Sequence, residues 1–92
     1  MSHTIRDKTR FLNRIRRIRG QVEAIERGLV QEQESTAILQ TLAACRGAIN
    51  GLMAEVMEGH VRHHVLDPRR SPTEEQSEAA DDLVAVIRAY LK

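Results

Sequence analysis

His60 and His64 stand four residues apart. On a helix that spacing stacks two imidazoles on one face, where both can reach a single metal ion. The same spacing also arises on solvated faces that bind nothing, so the pair needs a second feature beside it. The N-terminus offers one. If Met1 is removed, as a small Ser2 favours, the Ser2 amine and His3 form a chelating end. Imidazole and amine nitrogens suit nickel, cobalt, copper or zinc better than calcium or magnesium. His63 is adjacent in sequence but points about 100° away from His64. Cys45 is the only cysteine. It falls within an apolar row and reads as a small buried hydrophobe rather than a ligand or nucleophile.

Arginine carries the second chemistry. Of the 14 cations, 12 are arginine, and the net charge of the 92 residues is only +1. That total hides an asymmetry. Residues 1–20 hold seven cations against the single acid Asp7, a net of +6, and the remainder sums to −5. A basic end on an acidic chain points to a polyanion partner. The planar guanidinium fork suits phosphates and guanine edges. Arg6, Arg10, Arg14 and Arg17 fall within an arc of about 80° on a helix, beside an apolar stripe rather than opposite it. Arg46 sits in an apolar, small-residue stretch. It either reaches the same surface or enters a salt bridge between subunits.

The elements that must position these groups are helices. Phe11, Ile15, Ile18, Val22, Ile25 and Leu29 alternate steps of four and three, the pattern of a coiled-coil seam. A first helix is expected over about residues 5–29. Ile38, Leu42, Cys45, Ile49, Leu52 and Val56 repeat the pattern, and Met53, Met57, His60 and His64 continue on a neighbouring face. A second helix is expected over about 35–66, with Ser35 or Thr36 as its N-cap. At 1.5 Å per residue it is a rod of about 48 Å, too long for a lone domain of this size. Small residues from Ala43 to Ala54 allow close helix contact, so this helix reads as a dimer core. A third helix is expected over about 72–91. Ser71-Pro72-Thr73-Glu74 reads as its capping box and Leu83, Ile87 and Tyr90 as its seam, with Val84 and Leu91 beside it. The fold class is all-α: an antiparallel helical oligomer of three-helix protomers.

Composition excludes other classes. Apolar residues are 41% of the chain, too many for a disordered one, and aromatics are 2%. No apolar run approaches the ~18 residues of a membrane span. MSHTIRDKTR lacks the apolar core of a signal peptide. A single cytoplasmic domain over 1–92, with no membrane partner, is expected. A phosphate-binding glycine loop, a nucleophile elbow and a carboxylate pair are all missing, so an enzyme is not expected. Two long helices with a polar junction also do not make a helix-turn-helix.

Three stretches carry a resemblance: RIRRIRGQVEAIER (14–27), AACRGAINGLMAEVMEGH (43–60) and IRAYLK (87–92). Together they resemble the CsoR/RcnR family of copper-sensing and nickel/cobalt-sensing repressors, which includes formaldehyde-sensing members. The resemblance runs along essentially the whole chain. It implies a three-helix protomer paired through the first two helices into an antiparallel dimer, two of which stack into a flat homotetramer. It also implies repression of an efflux or detoxification operon by that tetramer on operator DNA, lifted when ligand binds. It maps DNA contacts to Arg14, Arg17 and Arg46, with Arg10 and Arg16 as neighbours.

The family's sensing site uses an N-terminal His, a Cys at the start of the second helix, a late His and a fourth position one turn on. His3, His60 and His64 match three of these. A His at the fourth position and the N-terminus MSHTIRDK are similar to the nickel/cobalt branch, which implies Ni(II) or Co(II) as inducer, with Zn(II) as a further candidate. The departure is Ser35, which aligns with the family Cys. A hydroxyl replaces a thiolate poorly, and His63, Glu34 or water are the available substitutes. Formaldehyde sensing in the family relies on an N-terminal Pro and that Cys, where this chain has Ser2 and Ser35. The rival readings are three. One is a repressor of the same family with another inducer (Zn, Cu or formaldehyde). Another is a metal-binding helical oligomer without DNA function, which leaves the basic segment unused. The last is a purely structural oligomerisation module, which explains neither the histidines nor the basic segment.

Overall fold

The computed structural model describes residues 7–66 and 69–91. Three α-helices occupy them: α1 (Lys8–Val30), α2 (Ser35–His60) and α3 (Glu74–Tyr90). No strand occurs among the described residues. The expected start of α1 at residue 5 lies outside them. The α1–α2 junction is a Schellman turn. The Gln33 N–H donates to the Gly28 carbonyl at 2.9 Å and the Glu32 N–H to the Leu29 carbonyl at 3.2 Å. Glu32 takes the left-handed backbone this turn needs, with φ 55°. The tight turn leaves only Glu34 to lead into α2. Glu34 is therefore the N-cap, without a side-chain cap bond. Ser35, expected as a cap, is already the first helical residue.

The second helix was expected to run unbroken to Leu66. Instead α2 ends at His60 and a π-helical turn covers Val61–Val65. The Leu66 N–H closes it on the Val61 carbonyl at 3.1 Å. Single π turns inside helical rods are uncommon and often mark functional sites.

The third helix starts two residues later than expected, and the correction lies in its cap. Thr73, not Ser71, is the N-cap. The Thr73 hydroxyl accepts from the Gln76 N–H at 3.1 Å, and the Thr73 N–H donates to Gln76 Oε1 at 2.9 Å. Thr73-Glu74-Glu75-Gln76 satisfies the same box pattern as the earlier frame. It also places Glu74 and Glu75 at the positive end of the helix dipole. The seam moves as well. Ala80 and Val84 are buried with Ile87 and Leu91 half-buried, whereas Leu83 and Tyr90 are exposed, Tyr90 at 86%.

The four-three rows of α1 and α2 each divide in two. Ile18 and Cys45 are buried between the helices, flanked by half-buried Phe11, Ile25, Ile38 and Leu52. Ile15, Val22, Leu42 and Ile49, the alternate members of the rows, remain exposed. Hence a seam of heptad spacing serves two interfaces, only one of them inside the protomer. Ala54 and Val61 turn to the other side of α2 and are buried beneath α3. The result is a slab measuring 56 × 26 × 11 Å, with a radius of gyration of 17.3 Å. A globular chain of this length would have about 12 Å.

Candidate functional site: a cationic groove and a histidine pair

The two broad faces of the slab differ in chemistry. The 100° step along a helix puts Arg17 about 160° round α1 from Ile15. One face of the α1–α2 hairpin therefore carries Arg10, Arg14 and Arg17. The other carries exposed Ile15, Val22, Leu42, Ile49 and Met53. The antiparallel register brings the basic side of α1 against the small-residue side of α2. A groove of about 310 Å³ results, lined by Arg14, Arg17, Gln21, Gly47, Ala48 and Gly51 among others. Gly51 matters to its shape: a Cβ there would sit 3.2 Å from Arg14 Nη1.

The two groove arginines have different surroundings. Arg14 Nη2 lies 3.3 Å from Glu55 Oε1. Arg17 is exposed and has no ion-pair partner among the described residues. Arg10 extends the row, with Nη2 at 3.4 Å from Asp7 Oδ2 and Nε at 3.9 Å from Glu55 Oε2. Its guanidinium also caps the Phe11 ring at 5.4 Å. Arg16 does not join them; it donates to Asn13 Oδ1 at 3.1 Å on the far side of α1. Arg46 does not line the groove either. It lies about 140° round α2 from Gly51 and about 20° from Met53, on the apolar face.

Two groove neighbours escaped the sequence reading. Gln21 Oε1 and Glu55 Oε2 are buried without a hydrogen-bond partner. Nothing in composition flagged them, because an acid or amide among many is silent until the hairpin register sets it opposite arginines. Ion pairs then tie α3 to the same side of α2. Arg88 grips Glu58 Oε1 at 2.8 Å through Nη2, and Arg62 Nη2 meets Asp81 Oδ1 at 2.8 Å.

The histidine pair lies on the opposite, apolar face. The His60 and His64 rings stack with centroids 5.3 Å apart and planes 26° from parallel. Both residues are exposed. The π turn between them keeps the rings in register while widening the backbone. Ser35, Arg46, Met53 and His60 share an arc of about 40° along this face. Even so, Ser35 is 25 residues from His60, about 38 Å of helix, and cannot meet it within one protomer. His63 is not brought to the pair; it lines a polar groove with Asp7, Arg10, Glu58 and Arg88 on the basic side. His3 and Ser2 lie outside the described residues. Among the described residues no cluster of three metal-binding side chains forms. One protomer thus supplies two nitrogen donors on one face and leaves further positions to the N-terminal arm or to another chain.

Known proteins resemble this chain along its full length. The family model described as metal-sensitive transcriptional repressor matches residues 7–89. An uncharacterised protein in the bioA 5′ region of Serratia marcescens is 49% identical over 92 residues, covering all of both chains. The transcriptional repressor RcnR of Salmonella paratyphi B is 42% identical over 92 residues, again covering all of both. Among solved structures, a variant of the Formaldehyde-Responsive Regulator FrmR from Salmonella enterica serovar Typhimurium is 45% identical. It aligns over 92% of this chain and 94% of its own, with a TM-score of 0.65.

Proposed function

The chain belongs to the CsoR/RcnR family of metal-sensitive transcriptional repressors, and from that premise we propose that its metal-free form binds operator DNA and that Ni(II) or Co(II) releases it. The observation that carries this reading is the division of one slab into a cationic face and a histidine face. Arg14 and Arg17 meet DNA from the groove, with Arg10 beside them. Phosphates and groove shape dominate affinity, so binding weakens steeply with salt.

Assembly completes the rest. The apolar face is covered by a second, antiparallel copy. Pairing α2 with itself across Leu42, Ile49 and Met53 on this face brings the partner's N-terminal end of α2 towards His60. Arg46 lies on that same face and reaches DNA beside the other subunit's groove. Two such dimers make the proposed homotetramer.

His60 and His64 fit a borderline divalent ion: two imidazoles on one face, with no carboxylate between them. They would hold Ni(II) or Co(II) together with His3 and the Ser2 amine. The ion supplies a fixed point to which nitrogens bond. Ser35 is a weak oxygen donor, so the site is nitrogen-dominated. In the bound state the N-terminal arm is tethered near the end of α2, which constrains the start of α1 and shifts the arginine row. A tenfold loss of DNA affinity requires only about 1.4 kcal/mol of coupling.

Fluorescence anisotropy of the DNA upstream of the chain's own gene tests this. Metal-free protein is expected to bind, Ni(II) or Co(II) to release it, and a chelator to restore it. Release only by Zn(II), Cu(I) or formaldehyde would keep the repressor and replace the inducer. No binding at any salt would leave a metal-binding oligomer.

A further inference from the structure

Glu55 has no role in the reading above, yet it sits where two of the proposed DNA-binding arginines converge. Its Oε1 lies 3.3 Å from Arg14 Nη2 and its Oε2 lies 3.9 Å from Arg10 Nε. Neither contact is a hydrogen bond, and Oε2 is buried with no hydrogen-bond partner among the described residues. Glu58, one turn on, is different: it receives Arg88 Nη2 at 2.8 Å and Nε at 3.3 Å. Glu58 is thus engaged in a hydrogen-bonded pair between helices, whereas Glu55 holds its arginines only loosely.

Guanidinium recognises carboxylate and phosphate through the same fork geometry. We propose that Glu55 is an internal stand-in for a DNA phosphate, holding Arg14 on the protein until DNA takes its place; this rests on the DNA-binding reading of the groove. Arg14 crosses α2 at Gly51, where no side chain obstructs its swing outward. Arg17, in the same groove, is paired with no carboxylate among the described residues. The groove therefore contains one arginine always available to DNA and one that must exchange partners. Glu55 lies on α2 one to two turns before the segment carrying His60, so it is also placed to link the histidine end of the rod to the arginine row.

Single variants of the full-length, metal-free protein, and one double variant, test this by DNA anisotropy, with thermal melting and sedimentation verifying fold and assembly. Glu55→Gln keeps the shape and removes the charge; DNA affinity is expected to rise about five- to tenfold. Glu55→Asp keeps the charge and withdraws it by one methylene; a gain of about two- to threefold is expected, where a general charge effect gives none. Glu58→Gln removes the same charge one turn away and is expected to change affinity less than twofold. In an Arg14→Ala background the Glu55→Gln gain is expected to shrink below twofold. An unchanged or weakened affinity for Glu55→Gln, or a gain that survives Arg14→Ala undiminished, would overturn the proposal. Failure of wild type and variants alike to bind DNA would instead overturn the repressor reading beneath it.

Discussion

Arg14 lies beside a carboxylate, Arg17 beside none among the described residues, and His60 and His64 occupy the opposite face of the same slab. This separation makes residue-level predictions distinct. Arg14→Ala is expected to weaken DNA binding and to lower the slope of log affinity against log salt by about 1 for each Arg14 engaged. Titrations at several salt concentrations check it; an unchanged slope removes Arg14 from the phosphate contacts. His64→Leu is expected to weaken Ni(II) binding by at least about tenfold while leaving metal-free DNA binding intact. Calorimetry and anisotropy on the same preparation check that pair, and equal loss of both would merge the two sites. At this scale the sequence was informative about types and poor about surroundings. The i, i+4 histidines and the arginine arc were legible because helical spacing alone determines them. Gln21 and Glu55 were not, because their importance comes from what the hairpin sets across from them.

At the scale of elements, the three helices followed from apolar spacing and turn residues, and the errors fell at their ends. Both Ser71-Pro72-Thr73-Glu74 and Thr73-Glu74-Glu75-Gln76 satisfy one local capping pattern. The structure uses the second, where Thr73 and Gln76 exchange both capping hydrogen bonds. Thr73→Ala is therefore expected to cost about 1 kcal/mol, and Ser71→Ala to cost a few tenths at most. Urea unfolding of the two variants distinguishes the frames. The π turn at Val61–Val65 had no sequence signature to find, since it ends the rod and no apolar row runs on beyond it to reveal the shift in phase. Ser35 shows the same limit. Its place at the first turn of α2 is as expected, but its capping role passes to Glu34 because the preceding Schellman turn uses up the linker.

At the scale of the whole molecule, the slab is elongated and much of its apolar surface is uncovered: Ile49 is 41% exposed and Met53 43%. A rod too long for its own domain already implied this from the sequence. What the sequence could not give was which half of each heptad row faces inward, because spacing is identical for both. Met53→Lys is expected to break self-association, seen as a fall in sedimentation coefficient, and to abolish DNA binding with it. In the proposed repressor the histidine face and the arginine face are coupled through one assembly. Linkage makes that reciprocal: if Ni(II) weakens DNA binding, DNA must weaken Ni(II) binding by the same factor. The most direct measurement is the Ni(II) affinity of the protein with and without saturating operator DNA. The account predicts an affinity at least about tenfold weaker on DNA, matching the loss of DNA affinity caused by Ni(II). Equal Ni(II) affinities in the two states would contradict it.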